Sequence, residues 1–307
     1  MKFIYLILAL PIIFISCNTT DKKTTPVIAN SHQVNGMNYM KSNQSFDDTY
    51  QTLKTTLSNN PAIKIIAEVD HSANAGNSNI ELNPAKLILF GNPKLGSPLM
   101  LENQQAGLDL PQRILVFQDS NKDVYLAYNN STFLSQRHGL TSEETTLDKI
   151  SNALAMLTKK ASNSTAMESD DTQTTLNEGI ITTVSKQDFD ATYTTLKNTI
   201  ENNPALRIFT ELDHQANAQN TDIELRPTRV IIFGNPNLGS PLMDSSPTTA
   251  LDLPQKMLVY ENELGEVKIS YNSTDFLTNR HHLKDTEKSI DKISKALQKI
   301  ANTAAGL

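Results

Sequence analysis

The chain has one cysteine and no tryptophan, and aromatic residues make up only 6% of its 307 positions. A single thiol, Cys17, excludes a disulfide framework and any paired-thiol chemistry. No run of Lys or Arg is present and the formal net charge is −6. Nucleic acid is therefore excluded as a partner, because phosphate binding leans on clustered cations. No HExxH, CxxC or HxH spacing occurs, so no metal motif is present. There is also no nucleophile elbow, no Ser-His-Asp order and no Cys-His pair.

What is present begins at the N-terminus. Met1-Lys2 precedes an apolar run over residues 3–15. That run is shorter than the roughly 20 apolar residues a spanning helix needs, and it fits the apolar core of a secretory signal. Phe14-Ile15-Ser16-Cys17 resembles a bacterial lipobox, with Phe14 where Leu is usual. The expectation is a signal peptide over 1–17, lipidation at Cys17 and a flexible polar tether over 18–35. The protein would then be held in the cell envelope by its lipid, at the periplasmic face or the outer membrane. Its membrane contact would be that N-terminal lipid.

The rest of the chain is written twice. A shift of 143 residues carries Asp70-His71 onto Asp213-His214 and Phe90-Gly91-Asn92-Pro93 onto Phe233-Gly234-Asn235-Pro236. It also carries Leu108-Asp109-Leu110-Pro111 onto Leu251-Asp252-Leu253-Pro254, and Arg137-His138 onto Arg280-His281. About half of the aligned positions are identical, without a gap. The period is that of a whole domain, which places copy 1 at 36–162 and copy 2 at 179–307. Residues 163–178, rich in Ser, Thr, Asp and Glu, read as a polar linker.

Within each copy the periodicities alternate. Phe46, Tyr50, Leu53 and Leu57 fall at helical spacing, as do Leu147, Ile150, Leu154 and Leu157. Ser45 with Asp48 is a helix-start signal, and Asn59-Asn60-Pro61 a stop. Strand patterns cover 37–41, 63–69, 86–90, 113–117 and 124–128, the last two as a hairpin. Ser97 before Pro98 predicts the start of a short helix. The fold class is α+β. Each copy is a mostly antiparallel or mixed sheet of about five strands with helices packed on a face.

Several residues invite a functional reading. Asp70 and His71, with Asp213 and His214, close a strand; a ligand cluster and a turn cap with a backbone-bonded His are both open readings. Asn92 and Asn235 sit in the Gly-Asn-Pro turn ahead of a helix, where an anion or nothing at all would fit. Arg137, His138, Arg280 and His281 supply cations for the carboxylates of the Asp-His segment, or form surface pairs.

Glu-x-Asp-His-x-Ala-x-Ala, Ile-Glu-Leu-x-Pro, Ile-x-Phe-Gly-Asn-Pro-x-x-Gly-Ser-Pro-Leu-Met, Leu-Asp-Leu-Pro and Tyr-Asn recur in this order from Glu68 to Asn129 and from Glu211 to Asn272. This set resembles the domain-of-unknown-function family 302. The resemblance implies a compact α+β domain, often paired as a dimer, with no assigned activity or cofactor. A tandem copy then implies an intramolecular pseudo-dimer. The expected function is an envelope-anchored binding module for a small ligand, anion or metal. The alternatives are a hydrolase-like enzyme using the Asp-His pair as acid and base, and a non-catalytic interaction scaffold.

Overall fold

The computed structural model describes residues 34–170 and 172–307. The signal peptide, Cys17 and nearly all of the tether lie outside the described residues. Copy 1 runs β1 (Met37–Lys41), α1 (Phe46–Ser58), β2 (Lys64–Asp70), α2 (His71–Gly76), β3 (Ala85–Gly91), α3 (Pro93–Glu102), a 3-10 turn (Gln104–Leu108), β4 (Gln112–Gln118), β5 (Val124–Asn129), α4 (Ser131–His138) and α5 (Glu144–Ser162). A short strand, β6 (Met167–Ser169), follows. Copy 2 repeats the order as β7 (Ile180–Val184), α6 (Phe189–Glu201), β8 (Arg207–Asp213), α7 (His214–Gln219), β9 (Thr228–Gly234), α8 (Pro236–Ser245), a 3-10 turn (Pro247–Leu251), β10 (Gln255–Glu261), β11 (Val267–Asn272), α9 (Thr274–Arg280) and α10 (Glu287–Ala304).

The α+β class and the tandem architecture stand. The sheets are ordered β2-β3-β4-β5-β1-β6 and β7-β11-β10-β9-β8. Neighbouring strands are antiparallel, as hairpins and short connections require. Within the polar stretch 163–178, Met167 to Ser169 pair with β1 and give the first sheet a sixth strand. Composition hid it: only Met167 in that strand is apolar, and an edge strand with polar side chains looks like a tether.

Period two sorts the side chains of β4. Ile114 and Val116 pack with Leu53, Leu57 and Leu154 of the helices, while Leu115 and Phe117 face the apolar cluster that includes Leu258 and Val230 of copy 2. Each sheet thus has its own helices on one face and the other copy on the opposite face. The 3-10 turn of each copy packs on the sheet of the other.

The helix expected to be capped by Ser97 begins five residues earlier. Asn92 caps α3 by accepting from the Lys94 N–H at 3.0 Å, and Pro93 occupies the first turn, where a missing N–H costs nothing. Ser97 and Pro98 lie inside the helix.

Both β2 and β8 carry a bulge at the same place. Pairing with β3 skips from Ile65 to Ala67, and pairing with β9 skips from Ile208 to Thr210. The extra residues are Ile66 and Phe209. A bulge interrupts the alternation of side chains along its strand.

Candidate functional site: a cavity beside the bulge

Ile66 lines a cavity of about 340 Å³ in copy 1. Its walls are Phe90, Gly91, Asn92 and Pro93 at the end of β3, Leu95, Gly96 and Met100 of α3, Leu110, Pro111 and Gln112 before and in β4, and Leu154 and Leu157 of α5. Copy 2 completes it with Leu212, His214 and Asn217. The lining is mostly apolar, with a few polar groups, as small-molecule sites generally are. Among those polar groups the buried Gln112 Nε2 has no hydrogen-bond partner. An unpaired buried donor is costly, and the equivalent Gln255 Nε2 of copy 2 is left in the same state.

The equivalent space in copy 2 measures only about 70 Å³. Its lining is the same set shifted by the repeat, including Phe233, Asn235, Pro254, Gln255 and Leu297, with His71 and Asn74 supplied by copy 1. The bulge residue differs: Phe209 stands where copy 1 has Ile66. Each lies against the strand-end glycine of its copy, since a Cβ on Gly91 would meet Ile66 at 3.6 Å and one on Gly234 would meet Phe209 at 3.7 Å. The larger ring lines the smaller space.

The residues singled out in the sequence do not share one pocket. Asp70 caps α2, accepting from Ala73 N–H and Ser72 Oγ at 2.8 Å, and pairs with Lys86. Asp213 caps α7 and takes Arg229 Nε at 2.8 Å. His71 Nε2 donates across to Ala250 O at 3.1 Å, and His214 Nε2 to Gly107 O at 3.3 Å. Burial pushes both rings down to about 4, against the pull of those carbonyls, so both are neutral at pH 7. Asp70 and His71 therefore serve separate partners. Asn92 and Asn235 are helix caps that also line the two spaces.

Arg137 and His138 are not paired with the Asp-His segment, as the sequence suggested, but with Asp109. Arg137 Nη1 donates to Asp109 Oδ2 at 2.6 Å and His138 Nε2 to the same oxygen at 2.8 Å. Arg280 and His281 hold Asp252 with the same distances. Each arginine also crosses between copies: Arg137 Nη2 reaches Asn272 Oδ1 at 2.8 Å, and Arg280 Nη2 reaches Asn129 Oδ1 at 2.7 Å. Each guanidinium lies 4.2 Å from a phenyl centroid of the other copy, Phe276 for Arg137 and Phe133 for Arg280. Lys256 Nζ adds a second cation to Asp109, after Arg137, at 3.2 Å. Burial alone would raise the Asp109 carboxyl, but Arg137, Lys256 and His138 together hold it well below the usual range. Asp252 is likewise held low by Arg280 and His281 against its burial. The two aspartates were visible only as part of a recurring motif. Their signal was an acid flanked by Leu in both copies, which marks a buried charge.

Among the described residues no group of three His, Cys, Asp or Glu is arranged to hold a metal ion. No described helix is long and apolar enough to cross a membrane.

The model of the family described as "Domain of unknown function DUF302" matches residues 38–157 and again 181–301. The chain belongs to the DUF302 family. Among curated proteins it is similar to the fluoride-specific ion channel FluC 1 of Brucella suis biovar 1, strain 1330, with 41% identity over 78 residues. That match covers 25% of this chain and 31% of the Brucella protein. FluC 2 of Brucella melitensis matches with the same identity over 29% of its length. The chain thus spans under a third of the length of these relatives. Among solved structures, the uncharacterized conserved DUF302 protein from Bacillus stearothermophilus aligns with a TM-score of 0.38 and 15% identity, covering 41% of this chain and 98% of that one.

Proposed function

We propose that this DUF302 protein is an envelope-anchored binding module that holds one small amphipathic ligand per chain, in the copy 1 cavity. The carrying observation is the difference between two otherwise equivalent spaces, about 340 Å³ beside Ile66 and about 70 Å³ beside Phe209. An apolar body suits the Leu, Ile and Phe walls, and a carbonyl or carboxylate oxygen suits the unpaired Gln112 Nε2. The volume is at the lower end of small-molecule sites, which span roughly 300–1,000 Å³.

The copies act as an intramolecular pseudo-dimer in this reading. Support comes from the reciprocal Arg137–Asn272 and Arg280–Asn129 bonds and from His214 closing the cavity of copy 1. The lipid on Cys17 supplies the anchor; palmitate labelling that survives Cys17→Ser would remove that element. Fluoride selectivity belongs to the Brucella channels by name and is not carried over, because the match spans so little of them.

Titration with the apolar probe anilinonaphthalene sulfonate tests the site. One probe should bind per chain, Ile66→Phe should abolish binding, and Phe209→Ile should add a second equivalent. Binding that ignores both substitutions refutes the assignment.

A further inference from the structure

Six buried charges meet where the copies pack: Asp109, Asp252, Arg113, Arg137, Lys256 and Arg280. Four are cations and two are carboxylates. His138 and His281, which bond those carboxylates, are pushed toward their neutral forms by burial. With its lysine and arginines protonated, the cluster carries two positive charges in excess.

Three of the cations have hydrogen-bond partners. Arg137 and Arg280 each hold a carboxylate, an asparagine and a backbone carbonyl, Glu178 O and Asn35 O respectively. Lys256 holds Asp109. Arg113 is the exception. It occupies in β4 the position that Lys256 occupies in β10, and the repeat would pair it with Asp252. That pair is not closed: Arg113 Nε and Nη2 and Asp252 Oδ1 are all buried without a partner.

Nε–H and Nη2–H lie along one edge of the guanidinium, the edge that takes an anion side-on with two parallel hydrogen bonds. A guanidinium does not shed its proton to escape burial, so its charge needs a counter-charge. Water satisfies the two N–H groups and leaves the excess charge unbalanced. The unpaired Asp252 oxygen opposes an anion nearby; the excess of two cations outweighs it. Only 3% of Arg113 is exposed, which suits a bare ion rather than an anionic head with a tail.

We infer that a small monovalent anion of halide size is bound at the interface of the two copies, side-on to the Nε and Nη2 edge of Arg113. The site is independent of the apolar cavity. Gln112, which lines the cavity, precedes Arg113 in β4, and neighbouring strand residues face opposite sides of a sheet.

The test uses the full chain, purified in detergent and crystallised with sodium bromide in place of sodium gluconate. Data at the bromine edge should give an anomalous peak beside Arg113 Nε and Nη2. Melting temperature should also rise with bromide at constant ionic strength and then saturate, and Arg113→Gln should lose that dependence. The map decides and needs no variant, so it holds even where Arg113→Gln does not fold. A map with no bromide at that edge, whether empty or occupied by water, overturns the inference whatever the melting curves do.

Discussion

Lys256 is a buried amine whose protonation folding opposes. Burial, with Arg113 nearby, pushes it down from 10.5 to about 8, against the pull of Asp109 and Asp252. Its folded value lies below its unfolded value, so between pH 8 and pH 10.5 the unfolded chain binds more protons. Stability must therefore rise with pH in that window. The full difference corresponds to about 3 kcal/mol, at about 1.4 kcal/mol per pH unit. From pH 8 to pH 9.5 the expected gain is roughly 1.5 kcal/mol. Lys256→Met keeps an unbranched side chain out to Cε and removes the titrating amine. Urea unfolding at half-unit pH steps, in the wild type and in Lys256→Met, isolates this group. Tyr50 and Tyr193, whose hydroxyls burial and a glutamate partner push up, act equally in both proteins and cancel. The wild-type stability should climb relative to the variant by that amount. Parallel pH profiles would refute the placement of a buried, proton-reluctant lysine on Asp109.

Asp109→Ala removes the carboxylate shared by Arg137, His138 and Lys256 and should cost about 3–5 kcal/mol in denaturant unfolding, the cost of orphaning a buried charge. A loss below about 1 kcal/mol would mean the cluster is hydrated. His71 and His214, pushed down to about 4, must take up protons on unfolding as pH falls below 6.5, so their contribution to stability should fall between pH 6.5 and pH 4 and level off below, where the carboxylates Asp109 and Asp252 take over the decline. His71→Gln, whose amide can still reach Ala250 O, should make that acid slope shallower by up to about 1.4 kcal/mol per pH unit. An unchanged slope would place His71 in water.

Much of this fold was legible from residues 36 to 307. The helical spacing of Tyr50, Leu53 and Leu57 was sufficient because their stripe packs on the sheet of the same copy. The strand expected at 37–41 agrees with β1 residue for residue, and its shift by 143 residues agrees with β7. What could not be read depends on partners far away in sequence. Arg137 chooses Asp109 and Asn272 through the packing of two copies, and no local pattern encodes that choice. The bulges at Ile66 and Phe209 were hidden inside runs whose alternation looked regular. The exchange of Ile for Phe between copies was present in the sequence. Its meaning appears only once the two side chains are seen to line equivalent spaces, one in each copy. The start of α3 was misplaced because two Xaa-Pro pairs, Asn92-Pro93 and Ser97-Pro98, carry similar capping signals five residues apart.

The claim that one open cavity makes this protein a binding module is tested most directly by native mass spectrometry. The full chain would be purified gently from its own host, alongside Ile66→Phe prepared identically. The wild type should carry one organic adduct, heavier than any halide and lost on denaturation, and Ile66→Phe should lack it. A wild type without an organic adduct, or an organic adduct that persists in Ile66→Phe, would contradict the account.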